Sequence, residues 1–215
     1  MKKFLPVGVV LLVAALLYIP TLRTGFLTDD FLDSECTIHQ APQAFVSMAS
    51  SGYRPFMSFS WALDNMLWGR ENQSGWHFTN IIILFAVVYM LYLFLSLYLQ
   101  KSAALFAGLV FFVVSLPVSV SVAKVVWRTS LLPMIPLLAA FVLVYKWGSD
   151  SGKRWHLCLS SVLLLVSLLL KEIALVSPPV FAAIVFTAVH RRNQWRKPVM
   201  TPPTNQSFTQ LASPV

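Results

Sequence analysis

Long apolar runs alternate with short polar segments along most of this chain. A helix that crosses the hydrocarbon core of a membrane needs about 20 apolar residues. Runs close to that length predict six membrane spans, at 4–22, 78–99, 102–123, 130–147, 155–170 and 173–190. The last two runs form one apolar region, which we divide at Lys171 and Glu172 because a single helix would be far too long to fit the bilayer.

The first run begins with two lysines, as a signal peptide does, but it is long for one and no small-residue cleavage site follows. We therefore predict an uncleaved first span, with a signal peptide as the alternative. Six spans place most of the 16 Lys and Arg residues on the side of the two termini. The positive-inside rule then predicts cytoplasmic termini. Short loops favour a bacterial inner membrane, and a eukaryotic source would imply the endoplasmic reticulum.

The segment 23–77 is the one long loop of this topology, and its second half has helical periodicity. "YRPFMSFSWALDNMLWG" predicts a helix that lies along the outer membrane surface. Pro55 suits its first turn and Gly69 its end. The residues predicted to share its apolar face are Phe56, Phe59, Leu63, Met66 and Leu67.

Composition supports an all-α membrane protein. Hydrophobic residues make up 57% of the chain and charged residues 11%, whereas a soluble domain has about 25% charged residues. The net charge of +8 does not indicate nucleic-acid binding, because basic residues in such a protein mainly set its orientation. We predict one transmembrane module, 1–197, and a disordered polar tail, 198–215.

Three sets of charged residues fall at the outer ends of the predicted spans. Each has an ordinary explanation: a solvated acidic loop, basic side chains that reach the headgroups, and a plain turn with an internal ion pair. Together they would form an outward-facing cluster of carboxylates and cations, suited to activating a hydroxyl and binding a phosphate. The three sets are Asp29–Asp30, Lys124 with Arg128, and Lys171–Glu172.

Five segments in this order resemble the GT-C superfamily of polytopic glycosyltransferases. The resemblance is closest to the protein O-mannosyltransferases with tetratricopeptide repeats and their bacterial relatives. The segments are "GFLTDD", "YRPFMSFSWALDNMLWG", "GWHFTN", "WRTSLL" and "LLLKEIALVSPPV". The matching residues are Gly25, Phe26, Asp29 and Asp30; Tyr53, Arg54, Pro55 and Gly69; Gly75, His77 and Asn80; Arg128, Leu131 and Leu132; and Lys171, Glu172, Ala174 and Pro178.

The resemblance implies transfer of a sugar, with mannose as one option, from a polyprenyl-phosphate donor to a hydroxyl of a protein, lipid or glycan. Asp29 or Asp30 would be the catalytic base, and the pair could hold a divalent metal without requiring one. The residues implied to bind the donor phosphate are Arg128, Lys171 and Lys124, and those implied to support the site are Arg54, His77 and Glu172.

Enzymes of this class have more than six spans. The resemblance therefore implies a front module, whose further helices would come from a longer protein or from a second membrane subunit. Two other functions are compatible with the same residues. One is a non-enzymatic protein of lipid-glycan assembly or binding, and the other is a transporter, which the lack of an internal repeat disfavours.

Overall fold

The computed structural model describes Leu12, Asp30, Gln43 and the ranges 16–27, 53–114, 124–125, 128–149 and 153–195. Within these residues the protein is helical and has no strands, which confirms the all-α class. The α-helices are α1 (Pro55–Trp68), α2 (Gln73–Leu95), α3 (Lys101–Val114), α4 (Met134–Gly148), α5 (Arg154–Leu170) and α6 (Ser177–Trp195). The single helical turn Arg128–Leu131 precedes α4, and the 3₁₀ helices are η1 (Ile19–Arg23) and η2 (Glu172–Val176).

Among the described residues, two helical stretches are long and apolar enough to cross a membrane: Gln73–Leu95 and Arg128–Gly148. Three other helical stretches, Lys101–Val110, Arg154–Leu170 and Ala174–His190, are apolar but shorter. The structure thus supports membrane association through two helices. The six-span topology stays a prediction.

The predicted spans agree in part with the helix bounds. The span predicted at 78–99 begins earlier, at Gln73, because the polar residues before it form the first turn of α2. The span predicted at 155–170 corresponds closely to α5. The α-helix predicted from residue 173 begins instead at Ser177, after η2. Most of the first predicted span, the end of the third and the tail lie outside the described residues.

Helix α1 has the local signals that the sequence predicts. Pro55 stands at its first position, where a missing N–H costs nothing, and Gly69 ends it with a φ of 72°, a conformation that favours glycine. The exposed side chains Phe59, Leu63, Met66 and Leu67 form its outward face. The opposite face is buried and carries the polar Asp64 as well as Met57, Trp61 and Ala62. An apolar outward face suits a helix at a membrane surface.

Helix α4 is the centre of the bundle, and it packs against α2, α5 and α6. A Cβ atom at Gly148 would lie 2.7 Å from the Cβ of Ala188, so α6 comes close to α4 only because Gly148 has no side chain. Ser167 of α5 donates a hydrogen bond of 2.9 Å to the carbonyl of Pro133, just before α4. The Ser167 bond lies beside the turn Arg128–Leu131, and the close approach at Gly148 lies at the other end of α4.

The end of the bundle where α2 and α6 begin and α5 ends, together with α1 and the turn before α4, is called the polar end below. Under it lies an apolar cluster made of Phe26, Met57, Trp61, Trp76, Val125 and Leu170. These residues come from segments far apart in the chain. Their packing brings the polar residues beside them into one place.

Candidate functional site

The segment that leads to the acidic pair is attached to the first turn of α2. The backbone N–H of Phe26 donates to Oε1 of Gln73 at 3.3 Å. The hydroxyl of Ser74 donates to the carbonyl oxygen of Leu22 at 2.7 Å. Neither Gln73 nor Ser74 was assigned a role from sequence, because polar residues at a helix start are usually caps.

His77 makes a further contact between the same two segments. It is fully buried, and its Nε2 lies 3.4 Å from Oγ1 of Thr24. The resemblance implies that His77 orders the loop, and a buried ring against that loop is compatible with this role. Its position one turn into α2 aligns it with Gln73 and Ser74.

Asp30 is fully buried and bonded to its own turn. Its Oδ2 accepts from the N–H of Leu27 at 2.9 Å, and its own N–H donates to the carbonyl of Leu27 at 2.8 Å. The side chain and the main chain of Asp30 are thus both bonded to the backbone of Leu27. The carboxylate is also near enough to Arg128 for electrostatic attraction. Asp29, the other predicted base, lies outside the described residues.

Arg128 is fully buried, and its guanidinium connects three parts of the fold. Nε donates to Oδ1 of Asn80 at 2.6 Å, and Nη1 donates to Oγ of Ser60 at 3.2 Å. Nη2 donates to the carboxylate of Asp64 and, at 3.3 Å, to the carbonyl of Trp76. A buried charge needs such partners, because an unpaired one would have no compensation for lost water. Arg128 therefore joins α1, α2 and the turn before α4.

Asp64 is the main partner that sequence reasoning missed. Burial raises the pKa of Asp64, and the Arg128 guanidinium acts in the opposite direction. The available signal was that Asp64 is the one acid of α1 and falls on the face away from the apolar residues. A buried carboxylate is almost always paired, so an acid on the face of α1 that packs against the protein would have indicated a cationic partner.

Asn80 links Arg128 to Lys124. Its Oδ1 accepts from Arg128, while its Nδ2 donates to the backbone carbonyl of Lys124 at 3.4 Å. The Lys124 side chain is half-buried. Asn80 therefore bonds both to the main chain of Lys124 and to the side chain of Arg128, two of the predicted phosphate ligands.

Arg54 and Glu172 form a second ion pair at the polar end. Arg54 donates from Nε to Oε2 at 2.9 Å and from Nη2 to Oε1 at 2.5 Å. This two-point contact joins the start of α1 to η2. The hydrogen bonds from Arg54 lower the pKa of Glu172 to about 2. Glu172 therefore pairs with Arg54, and the internal pair with Lys171 that a plain turn would have is not formed.

Lys171 lies between α5 and η2 and is half-buried. Its Nζ donates to Oγ of Ser130 at 3.1 Å. Burial lowers the pKa of Lys171, and the positive charge of Arg54 lowers it further. Of the predicted phosphate ligands, Lys171 and Lys124 are partly accessible, whereas Arg128 is enclosed.

Within the described part of the chain, no group of three or more His, Cys, Asp or Glu side chains is arranged to hold a metal ion. The metal predicted at Asp29–Asp30 stays a prediction, since Asp29 is not described. Comparison with protein-family models, with curated proteins and with solved structures finds no match to this chain.

Proposed function

We propose that this chain is the membrane module of a glycosyltransferase, which moves a sugar from a polyprenyl-phosphate donor to a hydroxyl on the outer side of the membrane. One observation carries the proposal: residues from all five motif segments are connected at the polar end. The links are Phe26 with Trp76, Asn80 and Asp64 with Arg128, Ser130 with Lys171, and Arg54 with Glu172. The sugar is mannose in the form closest to the resemblance, and the acceptor is a protein, a lipid or a glycan.

The proposal includes six spans with cytoplasmic termini, so that the polar end faces outward. The six-span topology would place the starts of α2 and α6 and the end of α5 on the outer side. In the structure these three helix ends lie together at the polar end, which supports the proposal. The exposed apolar face of α1 would rest against lipid beside it. A polyprenyl phosphate has its headgroup at this depth, so donor and charged residues would meet at the membrane surface.

In the proposed reaction, Asp29 or Asp30 accepts the proton of the acceptor hydroxyl. The hydroxyl oxygen then forms a bond to the anomeric carbon, and the bond from that carbon to the phosphate oxygen breaks. Negative charge grows on the departing phosphate, where a lysine stabilises it. The half-buried Lys171 and Lys124 suit this role better than Arg128. The contacts of Arg128 favour a positioning role.

Asp29→Asn and Asp30→Asn test the catalytic proposal. Membranes containing each variant are given a labelled polyprenyl-phosphate sugar, and transfer to acceptor is measured. We expect the variant of the catalytic base to lose about 100-fold or more of the rate, the usual contribution of a positioned base. Asn at position 30 keeps an oxygen that can accept from the Leu27 N–H, so the turn is preserved.

Asp33→Asn is the matched control, since Asp33 belongs to the same acidic segment and has no implied role. It should transfer sugar at the wild-type rate. If both Asp29→Asn and Asp30→Asn also transfer at that rate, neither carboxylate is the base, and if the wild type transfers no more sugar than membranes without the chain, the enzymatic function is wrong.

A non-enzymatic protein that binds a lipid-linked glycan is the second candidate. It is favoured by the internal bonding of Arg128 and Asp30, which is also what a purely structural network would have. The same assay separates the two functions. A wild-type chain that binds the lipid-linked sugar but transfers none of it, with binding unchanged in Asp29→Asn, would support the second candidate.

A further inference from the structure

The contact between Lys171 and Ser130 uses only part of the hydrogen-bond capacity of the two side chains. An ammonium group has three N–H donors, and a serine hydroxyl has one O–H donor and two acceptor lone pairs. Nζ of Lys171 uses one donor on Oγ of Ser130. Within the described residues, no bond involves the Ser130 hydrogen or the other two Lys171 hydrogens. Both side chains are half-buried, so a ligand can reach these donors.

The Glu172 carboxylate is not bonded to Lys171, although its charge raises the pKa of Lys171 against the effects of burial and of Arg54. Glu172 follows Lys171 directly, but both of its oxygens accept from Arg54. Lys171, Arg54 and Glu172 together carry one net positive charge. This small group is therefore short of an anion, on a partly accessible surface of the polar end.

We infer that Ser130 and Lys171 form an anion-binding pair that holds an oxygen of a phosphate group. Phosphate oxygens accept strongly from cationic donors and from hydroxyls, and a neighbouring O–H and N⁺–H can share one phosphate. Burial and Arg54 disfavour the charge on Lys171, and a bound anion would offset both effects. The sequence assigns Ser130 no role, because a serine in an interfacial turn is ordinary.

The inference rests on the proposed function only for the source of the phosphate, which would be the leaving group of the lipid-linked donor. A free phosphate has the same binding chemistry. The test therefore uses two probes: inorganic phosphate, and geranyl phosphate as a short polyprenyl phosphate.

Binding of each probe to the full chain in detergent is measured by titration calorimetry. For the tighter probe we expect about tenfold or greater loss of affinity in Lys171→Gln, the usual loss of a hydrogen bond to a charged group. Ser130→Ala should lower the affinity about fivefold, because it removes a single hydrogen bond to the phosphate. Lys171→Arg and Ser130→Thr keep the donors and should retain most of the affinity.

Lys153→Gln is the matched control, because Lys153 is an exposed lysine at the other end of α5. Its affinity should equal that of the wild type. Thermal unfolding of every variant shows whether a loss of binding is a loss of fold, and the conservative variants then decide. If geranyl phosphate binds more tightly than inorganic phosphate, the lipid is the source, and equal affinities indicate a site for free phosphate.

The inference is wrong if the wild type binds neither probe, or if Lys171→Gln and Ser130→Ala bind both as the wild type does. Sugar transfer measured on the same variants separates it from the proposed function. Transfer that needs the acidic pair, in a chain whose phosphate binding needs neither Ser130 nor Lys171, would remove the anion pair and leave the transferase. Phosphate binding that depends on Ser130 and Lys171, without any sugar transfer, would support the anion pair and remove the transferase.

Discussion

Two arginine–carboxylate pairs at the polar end have the same chemistry and opposite surroundings. The side chains of Arg128 and Asp64 are 0% and 2% exposed. Those of Arg54 and Glu172 are 21% and 58% exposed. Water solvates and screens the second pair, so each of its members tolerates loss of the other. The first pair has no water to replace a lost partner, so removing one member leaves a buried charge uncompensated.

The two ion pairs therefore have different roles, one in the fold and one in the charge of the site. Arg128 and Asp64 hold α1, α2 and the turn before α4 in register, which makes them part of the fold. Arg54 and Glu172 tether α1 to η2 and keep Glu172 away from Lys171, which affects the charge of the site. Arg128, although it belongs to a motif, thus serves the fold, and the proposed chemistry falls to neighbours such as Lys171.

The largest effect is expected from Arg128→Met. It leaves Asp64 buried without its cation, and we expect a loss of about 3–5 kcal/mol in the free energy of unfolding. Reversible unfolding in mixed detergent micelles measures it. The double variant with Asp64→Leu should recover most of the loss, since an apolar pair can replace a buried ion pair. A single-variant loss below about 1 kcal/mol would contradict the comparison.

Asn80→Leu should have the next largest effect. It removes the acceptor that faces Nε of Arg128 at 2.6 Å but keeps the ion pair with Asp64. A hydrogen bond to a charged group contributes about 1.5–3 kcal/mol, and we expect a destabilisation in that range from the same unfolding measurement. A loss as large as that of Arg128→Met would mean that Asn80, and not the ion pair, dominates the buried network.

Glu172→Gln should cost little. An exposed pair contributes about 0–1 kcal/mol, and salt screens it. We expect the difference between Glu172→Gln and the wild type to shrink in 1 M NaCl, a concentration at which the screening length is about 3 Å. The Arg128→Met difference should change much less, because its ions are shielded from the salt. Equal salt sensitivity of the two variants would remove the distinction between the pairs.

The smallest effect is the pH dependence of the exposed pair. The pKa of Glu172 falls from 4.5 to about 2 on folding, so its contribution is complete above pH 4.5 and is lost as the pH falls toward 2. The stabilities of Glu172→Gln and the wild type should thus differ slightly at pH 6 and converge near pH 2. Melting curves across this range measure the convergence. A difference that persists at pH 2 would show that Glu172 acts through packing.

Local features of the fold could be predicted because their causes are local. Pro55, Gly69 and the periodic apolar residues between them determine α1 within one segment. The start of α6 was placed too early, because residues 172–176 form a 3₁₀ helix that an apolar pattern does not distinguish from an α-helix. The six-span prediction rests on run length, and two helical stretches of the described residues are long and apolar enough to be spans.

The charged residues at the ends of the apolar runs can be read from the sequence, because run length and polarity are properties of short segments. How these residues pair depends on the tertiary fold, which brings distant segments together. Arg128 reaches Asp64, 64 positions earlier, and Glu172 reaches Arg54 across 118 positions, past the adjacent Lys171. Lys171 has an extended backbone, with φ −161° and ψ 137°. Glu172 begins the 3₁₀ helix η2, and this change of backbone conformation between neighbours lets Lys171 meet Ser130 while Glu172 meets Arg54.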